Sequence, residues 1–301
     1  MPRLLLIVTG ASRGFGACIV QALLEEYVLS SSNDDTYYSY CRIVLCARST
    51  QGLQTTQQHI QELIRKHPLS MDDKPTVDVS LHAMDLADLS HLDDQWDSIL
   101  ASLQNETTST VRFDRFLFVN NAGSLGHLGP CLESLSLKDM QQTIDLNITS
   151  ALWLTVKLGK FSQDNRNNNN DNDATMMKTT LINISSLLAI QTFPTMGIYA
   201  AGKAARDAFH QTLAQEQTKN DPRIEVLNYA PGPLETNMVT QLRTATQLDA
   251  QVQASFAQPV LDPYQSAQVL ARLLHAKDTS DSTAYTSGSH VDYYDVCDRY
   301  Q

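Results

Sequence analysis

The chain has 301 residues, 42% of them hydrophobic, and a formal net charge of −11. That content can bury a large core as one α/β domain or two, and an acidic balance without a basic cluster speaks against nucleic acid and anionic membranes as partners. The opening MPRLLLIVTG is too short an apolar run for a signal peptide or a membrane span, and Cys18, Cys41, Cys46, Cys131 and Cys297 form no CxxC pair and no ligand-spaced set with histidine; reduced thiols, a cytoplasmic location and no metal site are expected.

In chain order, residues 4–8 read as a strand, followed by Thr9-Gly10-Ala11-Ser12-Arg13-Gly14-Phe15-Gly16 and a helical pattern through Ile19, Val20, Leu23 and Leu24. Strand, Gly-rich turn and helix in succession let backbone approach a pyrophosphate at a helix N-terminus, although three glycines also suit a plain turn. Residues 27–41 are rich in Ser, Asn and Asp and read as a surface excursion. A second strand over 42–46 ends in Ala47-Arg48-Ser49, and a helix over 51–67 turns Leu53, Ile60, Leu63 and Ile64 inward. The next strand, 77–84, runs into Asp85-Leu86; a helix over 91–103 precedes a strand over 116–119 that enters Asn120-Asn121-Ala122-Gly123. An Asn there could brace neighbouring strands through their backbone. Ser136 opens a long helix with Asp139 three residues on, a pattern like a capping box, and that helix carries Asn147. Residues 163–178, QDNRNNNNDNDATMMK, lack the apolar side chains to pack and read as a second polar insertion, a disordered or mobile loop or else a domain linker.

The segment from Thr180 to Glu216 joins a buried strand to an Ala-rich helix and carries Ser186, Tyr199 and Lys203. If the helix starts near Gly197, Tyr199 and Lys203 lie one turn apart on one face. A lysine ammonium there would favour the tyrosinate and lower a pKa that starts near roughly 10, while Ser186 at the strand end could donate to a substrate carbonyl. Residues 224–229 form a further strand before Ala230-Pro231-Gly232-Pro233-Leu234-Glu235-Thr236; 237–260 read as a helical stretch, 263–276 as the last helix, and 284–295 as a final strand and tail. The alternation predicts one domain with a doubly wound, mainly parallel, Rossmann-like sheet and helices on both faces.

The spacing GxxxGxG, the NNAG run, Asn147 in DLNITS, a Ser thirteen residues before a YxxxK pair and the PGP turn together resemble the short-chain dehydrogenase/reductase family, over nearly the whole chain outside 27–41 and 163–178. The resemblance implies catalytic roles for Ser186, Tyr199, Lys203 and Asn147, the last helping to hold a water that links the lysine to solvent. It implies a nicotinamide cofactor held by Gly10, Ser12, Arg13, Gly14, Phe15, Gly16, Arg48, Ser49, Asp85, Leu86, Asn121, Ala122, Gly123, Tyr199, Lys203, Pro231, Gly232, Leu234 and Thr236. NAD-selective relatives carry an acidic residue where Ala47 stands here; Arg48 and Arg13 suit a 2′-phosphate, so NADPH/NADP is expected, although the same residues also suit two ordinary surface arginines. Helices around 136–161 and 197–219 are expected to pair in a homodimer, and 237–260 occupies the place of a substrate lid.

The central helix, NYAPGPLET and the tail SGSHVDYYD resemble a pterin-reducing branch of the family, which implies that Asp292 joins Ser186 and Tyr199 in binding substrate, its carboxylate facing the guanidine-like edge of the ring. Reduction of pterin side-chain carbonyls on the route to tetrahydrobiopterin is the expected activity. A broader carbonyl or dicarbonyl reductase would use the same catalytic residues without Asp292, and a cofactor-binding regulator without turnover would have little use for all four catalytic residues.

Overall fold

The computed structural model describes residues 2–30, 38–68, 74–106, 112–133, 136–167, 177–279 and 281–301. Seven strands, β1 (Arg3–Thr9), β2 (Tyr40–Ala47), β3 (Thr76–Ala83), β4 (Arg115–Asn120), β5 (Lys178–Ile184), β6 (Ile224–Ala230) and β7 (His290–Asp292), form one sheet in the order β3-β2-β1-β4-β5-β6-β7. Every pairing among them is parallel. The chain winds outward from β1 to β3 and then returns to β4 on the other edge of β1, so a crevice opens at the carboxyl ends between β1 and β4.

The helices are α1 (Gly14–Leu24), α2 (Thr50–Lys66), α3 (Leu89–Glu106), α4 (Leu137–Ile144), α5 (Ser150–Asn167), α6 (Gly197–Asn220), α7 (Asn237–Thr244), α8 (Ala250–Ala257), α9 (Pro263–Thr279) and α10 (Tyr293–Tyr300). Leu4, Leu6 and Val8 of β1 pack with α1 and α9, whereas Leu5 and Ile7 pack with α3 and α5 on the opposite face. Burial on both faces explains the unbroken apolar runs of the central strands, each such side chain contributing roughly 1.5–3 kcal/mol.

Three expectations change. The segment after α1 is not wholly a surface excursion: α1 continues through a π-helical turn, Glu25–Leu29, and Tyr27 and Val28 are buried. Tyr27 Oη donates to Asp278 Oδ2 at 2.8 Å, Arg115 Nε donates to the same oxygen at 2.8 Å, and Lys178 Nζ lies 2.8 Å from Asp278 Oδ1. The inner ends of both polar insertions are thus tied to one carboxylate at the amino edge of the sheet, opposite the crevice; 31–37 and 168–176 lie outside the described residues. Second, 237–260 holds two helices. Asp249 caps α8 by accepting from Gln251 N and Val252 N at 3.0 and 3.1 Å, and Gln253 Nε2 closes the end of α7 on the Arg243 and Ala245 carbonyls.

Third, α9 is not the last helix. The tail is a three-residue edge strand followed by α10, whose start is a capping box between Asp292 and Asp295; the D-x-x-D spacing carried that signal. The long helix after Ser136 does form. Ser136 Oγ accepts from Asp139 N at 3.1 Å, and α4 and α5 are joined by a π-helical stretch, Asp145–Thr149.

Candidate active site

The residues singled out from sequence follow strand ends at one edge of the sheet: Gly10 after β1, Arg48 after β2, Asp85 after β3, Asn121 after β4, Ser186 after β5, Pro231 after β6. Gly10 and Gly14 have φ of +68° and +55°, a region costly for side chains with a Cβ. A Cβ on Gly16 would lie 2.3 Å from the Gly10 carbonyl oxygen, so the turn closes only over a bare backbone. Ser12 packs on Gly52 at the start of α2, and the buried Phe15 anchors α1.

Arg13 stands at the N-cap of α1 without a side-chain capping bond, and the first turn holds no acidic residue. Its backbone N–H groups and partial positive charge are therefore free of a side-chain acceptor, which fits a pyrophosphate. Thr236 lies over the same turn, its Cγ2 3.5 Å from where a Gly14 Cβ would stand. Asn121 Nδ2 donates to the Thr9 carbonyl at 3.0 Å, and Thr9 Oγ1 accepts from the backbone N–H of Asn121 and Ala122 at 3.0 and 3.1 Å, so the expected bracing of β4 against β1 is present. Arg13 and Arg48 are exposed beside the crevice. Ser49 caps α2, Asp85 Oδ1 accepts from Ala87 N, and Leu86 and Leu234 are buried. Gly232, with φ of +75°, passes close to Leu261 and Tyr294.

Ser186, Tyr199 and Lys203 do converge. Ser186 caps a short 3₁₀ turn, Leu187–Ala189, its Oγ accepting from Leu188 N at 3.2 Å, and its hydroxyl acts on the Tyr199 phenol closely enough to lower that group's pKa. Lys203 Nζ donates to the Ile184 carbonyl at 2.6 Å and sits 5.6 Å from the Tyr199 ring centroid. Tyr199 shares a cluster with Leu188 and Met196 and with Leu242 of α7, Leu248 of the following connection and Val252 of α8, so those two helices and their connection form its cover. Thr195, at φ +63°, ties cover to floor: its carbonyl accepts from Gly129 N and its Oγ1 from Asp249 N, both at 2.9 Å. A β-branched residue held there stores roughly 1–3 kcal/mol of strain.

The electrostatics differ from the expectation that Lys203 lowers the tyrosine pKa. Burial raises the Tyr199 pKa above its ordinary value, opposed by the Ser186 hydroxyl and the charge of Arg206. Lys203 is itself pushed well down, first by burial and then by Arg206. The charge that lowers the Tyr199 pKa is that of Arg206, which the sequence reading missed. Arg206 is fully buried and donates to Asn183 Oδ1 at 2.6 Å, to the Ala122 carbonyl at 3.2 Å and to the Asn120 carbonyl. Asp207, also missed, accepts from Asn183 and Ser185. Their only signal was a place three and four residues after Lys203.

Asn147 sits in the π-helical stretch against Gly202 of α6. Its side chain is engaged on both sides by Ser124, Nδ2 donating to the carbonyl at 2.7 Å and Oδ1 accepting from the backbone N at 2.9 Å. It thereby fixes the loop after Gly123. Asp292, paired with Ala230 across β6 and β7, lies at the carboxyl edge and caps α10 through Tyr294 N at 3.0 Å. A carboxylate has about four acceptor sites, so the cap leaves capacity for a ligand.

A family profile described as short chain dehydrogenase matches residues 5–247, and the chain belongs to that family. It is a nicotinamide-dependent oxidoreductase. Sepiapterin reductase of Rattus norvegicus is 34% identical over 297 residues, covering 96% of each chain, and that of Mus musculus is 32% identical with 96% of each covered. Benzil reductase of Bacillus cereus is 22% identical, covering 90% of this chain and 94% of its own. The crystal structure of a 3-oxoacyl-[acyl-carrier protein] reductase from Brucella melitensis in complex with NAD shares the fold at a TM-score of 0.68 and 19% identity, covering 97% of this chain and 96% of its own. Among the described residues no helix is long and apolar enough to cross a membrane, and no group of three His, Cys, Asp or Glu could hold a metal ion.

Proposed function

We propose that the protein reduces side-chain carbonyls of a 6-substituted pterin, sepiapterin or 6-pyruvoyl-tetrahydropterin, with NADPH, in tetrahydrobiopterin formation. The observation that carries the substrate is the position of Asp292, brought by β7 to the carboxyl edge beside Ala230, where an acceptor fork can meet an N–H-rich ring edge. Likeness to the sepiapterin reductases supports it. Ala47 at the end of β2 places no carboxylate against a 2′-phosphate, and the exposed Arg13 and Arg48 can pair with one.

The Gly10–Gly16 turn, Asn121, Ala122 and Thr236 would hold the cofactor, which when bound supplies the hydride. Ser186 donates to the substrate carbonyl and Tyr199 gives it a proton. Burial suits the phenol to that task, because it keeps the proton in place at neutral pH. Lys203, held at Nζ by the Ile184 carbonyl, lines the cofactor side, and Asn147 fixes the loop between α6 and the crevice. A homodimer belongs to the same reading: Met140, Ile144, Ile148, Ile198 and Ala201 line an apolar groove between α6 and the run of α4 into the π-helical stretch that a second copy would cover, and sedimentation velocity at micromolar concentration tests it.

The test of substrate is Asp292→Asn, assayed by NADPH oxidation with sepiapterin and with a small diketone. Loss of one charge-assisted pair should lower kcat/KM for sepiapterin about tenfold or more and leave the diketone nearly unchanged. Equal loss on both substrates would favour a broader carbonyl reductase, the reading to which likeness to benzil reductase points.

A further inference from the structure

The end of the sheet beneath the site carries a buried polar cluster that the chemistry above does not use. Asn183 of β5, Asn228 of β6 and His290 of β7 are aligned across the three strands, since Asn183 pairs with Asn228 and Asn228 with His290. Two residues further on, on the same face by strand alternation, stand Ser185, Ala230 and Asp292. Asp207 of α6, 3% exposed, reaches into both rows. Its Oδ1 accepts from Asn183 Nδ2 at 2.9 Å and Ser185 Oγ at 2.6 Å, and its Oδ2 accepts from His290 Nδ1 at 2.6 Å. Because a carboxylate only accepts, Nδ1 of His290 carries the proton.

We propose that Asp207 and His290 are a positioning pair that locks the substrate-anchoring tail to the segment carrying Ser186 and Tyr199; the proposal rests on the reading of Asp292 given above. One oxygen of Asp207 holds Ser185, the neighbour of Ser186, from a helix position one turn beyond Lys203. The other holds His290, two residues before Asp292. β7 is a three-residue edge strand with a ladder on one side only, so its backbone gives it little purchase against sliding or fraying. Side-chain bonds also hold the chain just before β7, Asn228 Nδ2 donating to the Gly288 carbonyl at 3.1 Å and Ser287 Oγ accepting from Val226 N at 3.0 Å, but the histidine bond is the tie from within β7 to α6 that sets where Asp292 stands relative to the reacting groups. Ser186, Tyr199 and Lys203 keep their own supports when that tie is lost, through β5, α6 and the other oxygen of Asp207. Removing the His290 donor should therefore loosen recognition of the pterin and leave the chemistry.

The experiment uses the full chain, with His290→Phe to keep the ring volume and remove the donor, and His290→Asn to offer an amide N–H at the place of Nδ1. His290→Leu replaces the Phe variant if that variant does not fold. Expected for His290→Phe is a KM for sepiapterin about tenfold higher, with kcat for a small diketone and the Kd for NADPH within about twofold of the unmodified protein, and recovery of most of the pterin KM in His290→Asn. Hydrogen–deuterium exchange should quicken across 288–296 and not in β5 or α6, a readout that needs no substrate. Unchanged exchange overturns the pair, as does a parallel loss on both substrates in which His290→Asn fares no better than His290→Phe. Failure of the unmodified protein to reduce sepiapterin overturns the pterin reading instead, and exchange then decides the tie by itself.

Discussion

Replacing Arg206 by methionine is the sharpest test of how the site is held, because the side chain is fully buried and every N–H it uses points at a site element. Methionine matches its length and provides no donor. The substitution strips a partner from Asn183 Oδ1 and from the carbonyls of Ala122 and Asn120, three acceptors on the loop and strand ends that frame the crevice. Each buried acceptor left without a partner costs about 1–3 kcal/mol. Part of that is offset, since burying a guanidinium is itself costly; burial brings its pKa down to about 10, still charged at neutral pH. A net loss of about 3–5 kcal/mol is expected, which for a chain of this size lowers Tm by roughly 6–10 °C at about 2 °C per kcal/mol. Calorimetry with the purified variant measures it. Activity gives a second reading. The charge of Arg206 lowers the Tyr199 pKa, so its loss should move the alkaline rise of alcohol oxidation, which needs tyrosinate, to higher pH, while carbonyl reduction, which needs the phenol, is not weakened by that shift. A Tm within about 1 °C of the unmodified protein, or an oxidation profile displaced toward lower pH, would refute the account.

Arg48→Asp should weaken or reverse a preference for NADPH over NADH by placing a carboxylate beside the 2′-phosphate; equal efficiency with the two cofactors in the unmodified protein removes the assignment. Tyr199→Phe takes away the acid and little volume, so it should stay folded and bind cofactor with kcat down roughly 10²–10⁴-fold, measured by single-turnover reduction. His210, buried between the Arg206 carbonyl and Thr155 Oγ1, has its pKa depressed to about 4, first by burial. Between about 4 and 6.5 the unfolded chain takes up a proton that the folded chain refuses, so stability rises with pH across that window by about 3 kcal/mol from this group. In His210→Gln the slope of Tm against pH over that range should be shallower than in the unmodified protein.

Where a function is written in short-range sequence, it was legible before any coordinates. The turn from Gly10 to Gly16 is local geometry, the four-residue step from Tyr199 to Lys203 is helical periodicity, and the unbroken apolar strands announce a sheet covered on both faces. The split of 237–260 and the last helix were written locally too, in Asp249 and in Asp292 with Asp295, but a cap is a single side chain, outweighed by a continuous helical pattern in the first case and by the strand pattern of the tail in the second. What no local pattern contains is the identity of groups that meet from distant strands. Arg206 and Asp207 look like the polar face of a helix, and Tyr27 and Lys178 like the edges of polar insertions. Only the parallel order of β4, β5, β6 and β7 brings Asn120, Asn183 and His290 under α6, and only the amino edge gathers Tyr27, Arg115 and Lys178 around Asp278. The same packing sets the electrostatics of Tyr199 and Lys203: sequence determines that the two side chains are neighbours, whereas burial, a tertiary fact, raises the pKa of the tyrosine and lowers that of the lysine.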